Sequence, residues 1–350
     1  MDSYTDHALI SAAIKIASKA GRDAPCTLIR RGAQLYIEAG GEHVQVQTSI
    51  PATEKDDSTC TVVVSTLADA LRRVGGSTPV RLHGGNKRLT VAAGAASVQI
   101  PVIDADQPEP DIAGQVASIT LGAGALRDAL EGVAYAVSTD PSRYGLNGVC
   151  LRGGRLMATD GHRAATWPLG EDVDADGGAA LIPPSACSAM LAALATCGDE
   201  DSVTLTLRES WHRLDVGGLT LDVRAVAGEF PDLGAVVPKL EGPRLGVDRD
   251  ALIDAIQTVD LGGSRATVID PDGTISQRDI ATSRDTQTAI VAGDDDTGWR
   301  RCGVEASYMI DALRTCRQGP LFLWMAGPLS PLVVDDGTDA VRVVMPRRID

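Results

Sequence analysis

Between His7 and Ala20 the apolar residues Leu9, Ile10, Ala13, Ile14 and Ile16 recur at helical spacing, with Lys15 and Lys19 on another face and Gly21 as a stop. That spacing predicts a first helix. Cys26 to Ile50 then alternates in short runs broken at Arg31-Gly32 and Gly40-Gly41, the pattern of an antiparallel meander. A helix at Thr66 to Val74 and strands from Ser77 to Ile103 follow, and a proline-rich polar connector, Asp104 to Gly114, ends the first pass.

The order then starts again. A helix is predicted at Gly124 to Val137. Next come a strand at Ser142 to Cys150 and, after Gly153-Gly154, a second strand from Arg155 that runs into a short polar turn ending in His162 and Arg163; glycine tolerates the positive backbone angles of the tight reversal between them. A helix at Pro184 to Cys197, strands from Val203 to Val226 and a connector at Glu229 to Pro238 complete the second pass. The third has a helix at Asp248 to Asp260, strands around Ala266 to Ile290, a helix at Glu305 to Arg317 and strands from Leu321 to Met345. Pro110-Asp111 and Pro231-Asp232 lie 121 residues apart and end equivalent units, as in a duplicated chain. The pattern predicts an α+β protein of three tandem domains, 1–115, 116–239 and 240–350, each with two helices on antiparallel sheet.

Composition narrows the function. No apolar run reaches the roughly 18 residues of a membrane span. Met1 to His7 lacks the basic start and apolar core of a signal peptide, so a soluble, cytoplasmic protein is expected. Seven cysteines without a C-x-x-C pair suggest neither a disulfide framework nor a zinc site. Gly75-Gly76-Ser77-Thr78 and Gly262-Gly263-Ser264 lack the spacing and lysine of a phosphate-binding loop, and no cofactor is expected. The formal net charge of −15 speaks, on a simple reading, against nucleic acid.

Four motifs change that reading: R-Y-x-L-N-G from Arg143, A-T-D-G-H-R from Ala158, G-E-F-P-D from Gly228 and V-V-M-P from Val343. In this order, on a threefold α+β repeat, they resemble the bacterial sliding clamp family, the beta subunit of the replicative DNA polymerase. The resemblance covers the whole chain. It implies a non-catalytic processivity factor, a head-to-tail homodimer whose six domains close as a ring. Twelve helices would line a hole for double-stranded DNA, held topologically and without regard to sequence. DNA polymerase subunits and the clamp loader would dock short peptides on it. An acidic exterior suits such a ring, because it limits adhesion of DNA outside the hole.

The resemblance also assigns residues. The partner-peptide pocket falls on Leu146, Thr159, Gly161, His162, Arg163, Pro231, Val236, Val343, Met345 and Pro346, an apolar anchor site with a polar turn beside it. Lys15, Lys19, Arg22, Arg72, Arg73, Arg127 and Tyr144 are expected to face DNA, and Val98, Ile100, Asp260 and Leu261 to lie at the dimer seam. The six predicted helices carry eight basic and nine acidic residues, less acidic than the chain but not a basic channel, so weak, salt-sensitive contact with DNA is expected. Where the family usually has leucine, a second tyrosine and an apolar residue, this chain has Ala164, Gly145 and Arg347. The weak lining charge, together with Ala164, Ala235 and Arg347, motivates a second reading, a clamp-like paralogue with an accessory, phage-borne or inhibitor-resistance role. Catalysis by His162 beside Asp160 is the third and weakest, since no nucleophile motif accompanies them.

Overall fold

The computed structural model describes the chain apart from residues 54–56, 76–78, 106–109, 111–113, 171–179, 227, 236, 239, 241, 261–264, 280–283, 291–297, 328 and 350. The chain divides into two compact units, Met1–Arg127 with Val173–Val226, and Asp128–Asp172 with Ala227–Asp350.

The first unit is built on one sheet of twelve strands. From the edge strand Ala96–Pro101 it passes through Arg88–Ala93, Val80–Gly84, Asp2–Thr5, Val44–Thr53, Leu219–Arg224, Trp211–Val216 and Ser202–Arg208 to Gln115–Gly122; Gln34–Gly40, Pro25–Arg31 and Ser58–Val63 branch from Val44–Thr53. Helices α1, His7–Ala17, and α2, Val64–Val74, close over Leu28, Leu35, Ile37, Leu82 and Leu89. Helix α1 starts where Asp6 accepts hydrogen bonds from the amides of Ala8 and Leu9 at 2.8 and 3.1 Å, a cap worth about 1 kcal/mol. In α2 the buried residues Val64, Leu67, Ala70, Leu71 and Val74 recur at helical spacing and leave Arg72 and Arg73 exposed.

Helix α3, Ala123–Ala134, contains the division between the units, and α4, Pro184–Leu194, belongs to the first. Pro184 opens α4, where a missing N–H costs nothing. In the second unit an antiparallel succession runs through Val149–Arg152, Arg155–Thr159, Arg163–Pro168, Val341–Val344, Leu332–Asp335, Pro320–Trp324 and Arg244–Asp248. A four-stranded sheet runs Arg284–Ile290, Thr274–Asp279, Arg265–Ile269 and Cys302–Val304. Helices α5, Arg249–Val259, and α6, Ala306–Arg314, bury Leu252, Ile256, Met309 and Leu313 against Leu245, Leu321, Leu323 and Val334. Every strand pairing among the described residues is antiparallel, and the α+β expectation holds.

One stretch departs from the sequence reading. Ser142 to Cys150 is not a continuous strand: Tyr144–Leu146 is a 3-10 turn, and extended structure begins at Val149. Local side-chain bonding wins over the ladder here, as Asp140 Oδ1 accepts from the amide and the hydroxyl of Ser142 at 2.9 and 2.7 Å. Gly145 explains the rest. A Cβ there would lie 2.4 Å from the Glu229 carbonyl oxygen, so glycine permits a backbone contact that no other residue allows. The Gly153-Gly154 reversal forms as expected, with φ of 55° and 68°.

Candidate peptide-docking site

The motif A-T-D-G-H-R folds in the second unit as a turn whose polar groups are used internally. Asp160 Oδ1 accepts the amides of His162 and Arg163 at 2.8 and 3.0 Å. Thr159 Oγ1 donates to the Arg163 carbonyl at 2.7 Å and accepts from the Gly161 amide at 3.1 Å. Gly161 has φ +88°, a conformation that favours glycine, and a Cβ there would meet Arg143 Nη1 at 2.9 Å. Arg143 itself donates to the Asp160 carbonyl at 2.8 Å.

Arg163 pins this turn to α6. Its Nε donates to Asp160 Oδ2 at 3.0 Å and its Nη1 to Asp311 Oδ2 at 2.6 Å. The guanidinium lies 4.5 Å from the centre of the Tyr308 ring and 5.4 Å from that of Tyr135. The His162 ring lies 6.3 Å from Tyr308, inclined by 20°. Burial pushes the Tyr135 hydroxyl above its usual range, so it stays neutral beside the cation.

The C-terminal motif arrives alongside. Strand Val341–Val344 pairs with Arg163–Pro168, setting Arg163 opposite Val344 and Ala164 opposite Val343. Beyond it the Met345 amide donates to the His162 carbonyl at 2.8 Å. Val343 and Thr159 are buried and hold the site from behind, while His162 and Gly161 are exposed and Met345 and Pro346 half-buried. Leu146, half-buried, and Pro231, exposed, belong to a second group: Gly228 to Phe230 lies against the Tyr144–Leu146 turn, and Arg152 Nη2 donates to the Phe230 carbonyl at 3.3 Å. Arg143 joins the two groups, since it precedes that turn and bonds to Asp160. The result is a rim of an exposed imidazole and half-buried methionine and proline, backed by buried Val343 and Thr159. Val236 lies outside the described residues.

The central stretch, residues 120–232, matches the family described as DNA polymerase III beta subunit, central domain. The beta sliding clamp of Caulobacter vibrioides is 27% identical over 308 residues, which is 83% of this chain and 82% of that protein. A DNA polymerase sliding clamp from Caulobacter crescentus superimposes with TM-score 0.84 and 25% identity over 99% of this chain and 100% of that one. Over most of its length the chain is similar to bacterial sliding clamps. A sliding clamp of Bartonella birtlesii bound to griselimycin superimposes more closely still, TM-score 0.88 over 99% of both chains, at 20% identity.

Tyr135, Tyr308, Asp311 and Arg143 escaped the sequence reading of the site. Asp311 stands 148 residues from Arg163, and only its position three residues after Tyr308 on α6, which puts both on one face, could have signalled them. Of the positions expected to face DNA, Lys15, Lys19, Arg22, Arg72 and Arg73 are exposed, and Tyr144 is 70% exposed. Arg72 is ion-paired with Asp69. Arg127 is engaged within its unit: its Nη1 donates to Asp199 Oδ1 at 2.6 Å and its Nη2 to the Leu194 carbonyl at 2.8 Å, capping the end of α4. At the seam positions Ile100 is buried and Val98 half-buried on the sheet-edge strand, Asp260 is exposed and accepts from Gln277 Nε2 at 3.1 Å, and Leu261 lies outside the described residues. Asp160 bonds to the His162 amide and not to its ring, so the pair does not form the base and orienter of a hydrolase. Among the described residues no three metal-binding side chains gather, and no helix is long and apolar enough to cross a membrane.

Proposed function

We propose that the chain is a DNA sliding clamp in which two copies, each of domains 1–115, 116–239 and 240–350, close head to tail around duplex DNA. The ring catalyses nothing; it tethers DNA polymerase subunits, the clamp loader and other partners through short peptides that dock at His162, Met345 and Pro346, with Leu146 and Pro231 continuing the site. It works in the cytoplasm. The observation that carries the reading is the agreement of a whole-chain fold with a turn and C-terminal strand that converge on one rim, where His162 and Met345 are bonded across 183 residues of sequence.

Two features support ring closure. Among the described residues Ala96–Pro101 ends the sheet of the first unit and Arg284–Ile290 the four-stranded sheet of the second, and strand edges left open in one chain are what a head-to-tail junction would join. Lys15, Lys19, Arg22 and Arg73 supply accessible positive charge without base-reading geometry, which suits sliding. Native mass spectrometry tests the assembly: a ring gives twice the 36.4 kDa chain mass at micromolar concentration, and a chain found only at 36.4 kDa refutes it.

A further inference from the structure

Past its last strand the chain is held at two points. The Met345 amide bonds to the His162 carbonyl, and the Arg347 amide bonds to the Gly303 carbonyl, both at 2.8 Å. Pro346, between them, has no amide to give. Gly303 sits in the strand Cys302–Val304, whose other edge pairs with Arg265–Ile269, so the tail covers the edge that remains. No side chain fits at Gly303: a Cβ would lie 2.4 Å from Ile349 Cγ2 and 2.9 Å from the Arg347 carbonyl oxygen. Two residues on, Glu305 precedes α6 but caps none of its amides; its carboxylate pairs with Arg347 Nη1. Both partners keep about a third of their side-chain surface exposed, 31% and 30%.

Three side chains along one stretch thus hold both walls of the site. Tyr308 and Asp311 hold the turn through Arg163, and Glu305 holds the tail through Arg347. We propose that Gly303 and the Glu305–Arg347 ion pair form a latch that sets the docking position of Met345 and Pro346 and so fixes affinity for peptide ligands. The proposal rests on the docking site described above. Glu305, Arg347 and Gly303 are positioning residues. A charge pair at the rim moves affinity by a modest factor, because water already screens it.

The test uses the full-length protein and griselimycin, the ligand of the Bartonella birtlesii clamp. Titration calorimetry on Glu305→Gln and Arg347→Met is expected to give Kd values about three- to fivefold above the parent. The double variant should be no weaker than the weaker single, and Arg347→Lys should stay within about twofold of the parent. Gly303→Val, which displaces Ile349, should weaken binding by at least about tenfold. Amide hydrogen exchange, read without ligand, should accelerate at Met345 and Arg347 in Glu305→Gln and not in Arg347→Lys. Parental affinity in Glu305→Gln and Gly303→Val, with or without faster exchange, overturns the latch and leaves the docking site standing. A parent protein that binds neither griselimycin nor a polymerase-derived docking peptide overturns the docking site, and the latch with it.

Discussion

Replacing Arg163 by methionine keeps most of the apolar stem and removes the charge that joins the A-T-D-G-H-R turn to α6. Three interactions go at once: the ion pair to Asp160, the ion pair to Asp311 and the stacking on Tyr308 and Tyr135. The side chains of Arg163 and Asp160 are only 13% and 14% exposed, so Asp160 loses a partner where water replaces it poorly; Asp311, at 36%, is rehydrated more easily. Breaking a buried pair costs about 3–5 kcal/mol and a cation over an aromatic ring is worth about 0.5–2 kcal/mol. With the exposed half of the network discounted, the expected loss is about 3 kcal/mol. Arg163→Lys keeps the charge but not the planar fork that reaches both carboxylates, and should lose about half as much. Urea unfolding followed by tryptophan fluorescence reads this well, because Trp167, Trp299 and Trp324 of the four tryptophans lie in the second unit. A loss below about 0.5 kcal/mol in Arg163→Met, the range of an ordinary surface change, would refute the view that this side chain pins the site.

Three further outcomes follow from the same geometry. Gly145→Ala places a methyl group against the Glu229 backbone and should destabilise by about 2 kcal/mol in urea; an unchanged midpoint would show that the Gly228 to Phe230 segment moves freely. Burial in the first unit pushes His212 down to about 4 from its ordinary 6.5, so the imidazole is neutral in the fold and the unfolded chain binds the extra proton. Stability from this group is therefore full above about pH 6.5 and falls as pH drops toward 4, by about 1.4 kcal/mol per pH unit. The parent should lose about 2 kcal/mol more than His212→Gln between about pH 7 and pH 5, and equal losses would dismiss the assignment. Replacing Lys15, Lys19 and Arg73 by alanine should weaken binding to duplex DNA equally for all sequences and flatten its salt dependence by about 0.9 for each phosphate no longer neutralised; an unaltered slope removes these residues from the DNA surface.

Much of this molecule is legible along the chain because it is built from local signals. Leu9 to Ile16 and Val64 to Val74 declare their helices by spacing, Asp6 and Asp248 mark two helix starts, and Gly153-Gly154 marks a hairpin. The A-T-D-G-H-R turn is equally local, since Thr159 and Asp160 satisfy it from within the motif. What the sequence hides is set by distant partners. Gly145 reads only as a missing tyrosine until Glu229 is placed on it, and Arg127 reads as one more lining charge until its bonds to Asp199 and the end of α4 are seen. Arg347, a departure from the family pattern, becomes intelligible only beside Glu305, 42 residues away. Each is a tertiary interaction between groups whose chemistry is ordinary taken alone.

Topological capture of DNA is tested most directly by loading the protein with a clamp loader onto nicked circular DNA and cutting the circle once. A closed ring stays on the circle through gel filtration in high salt and runs off the ends within minutes of linearisation. Equal retention before and after the cut, or none on the circle, would contradict a sliding clamp.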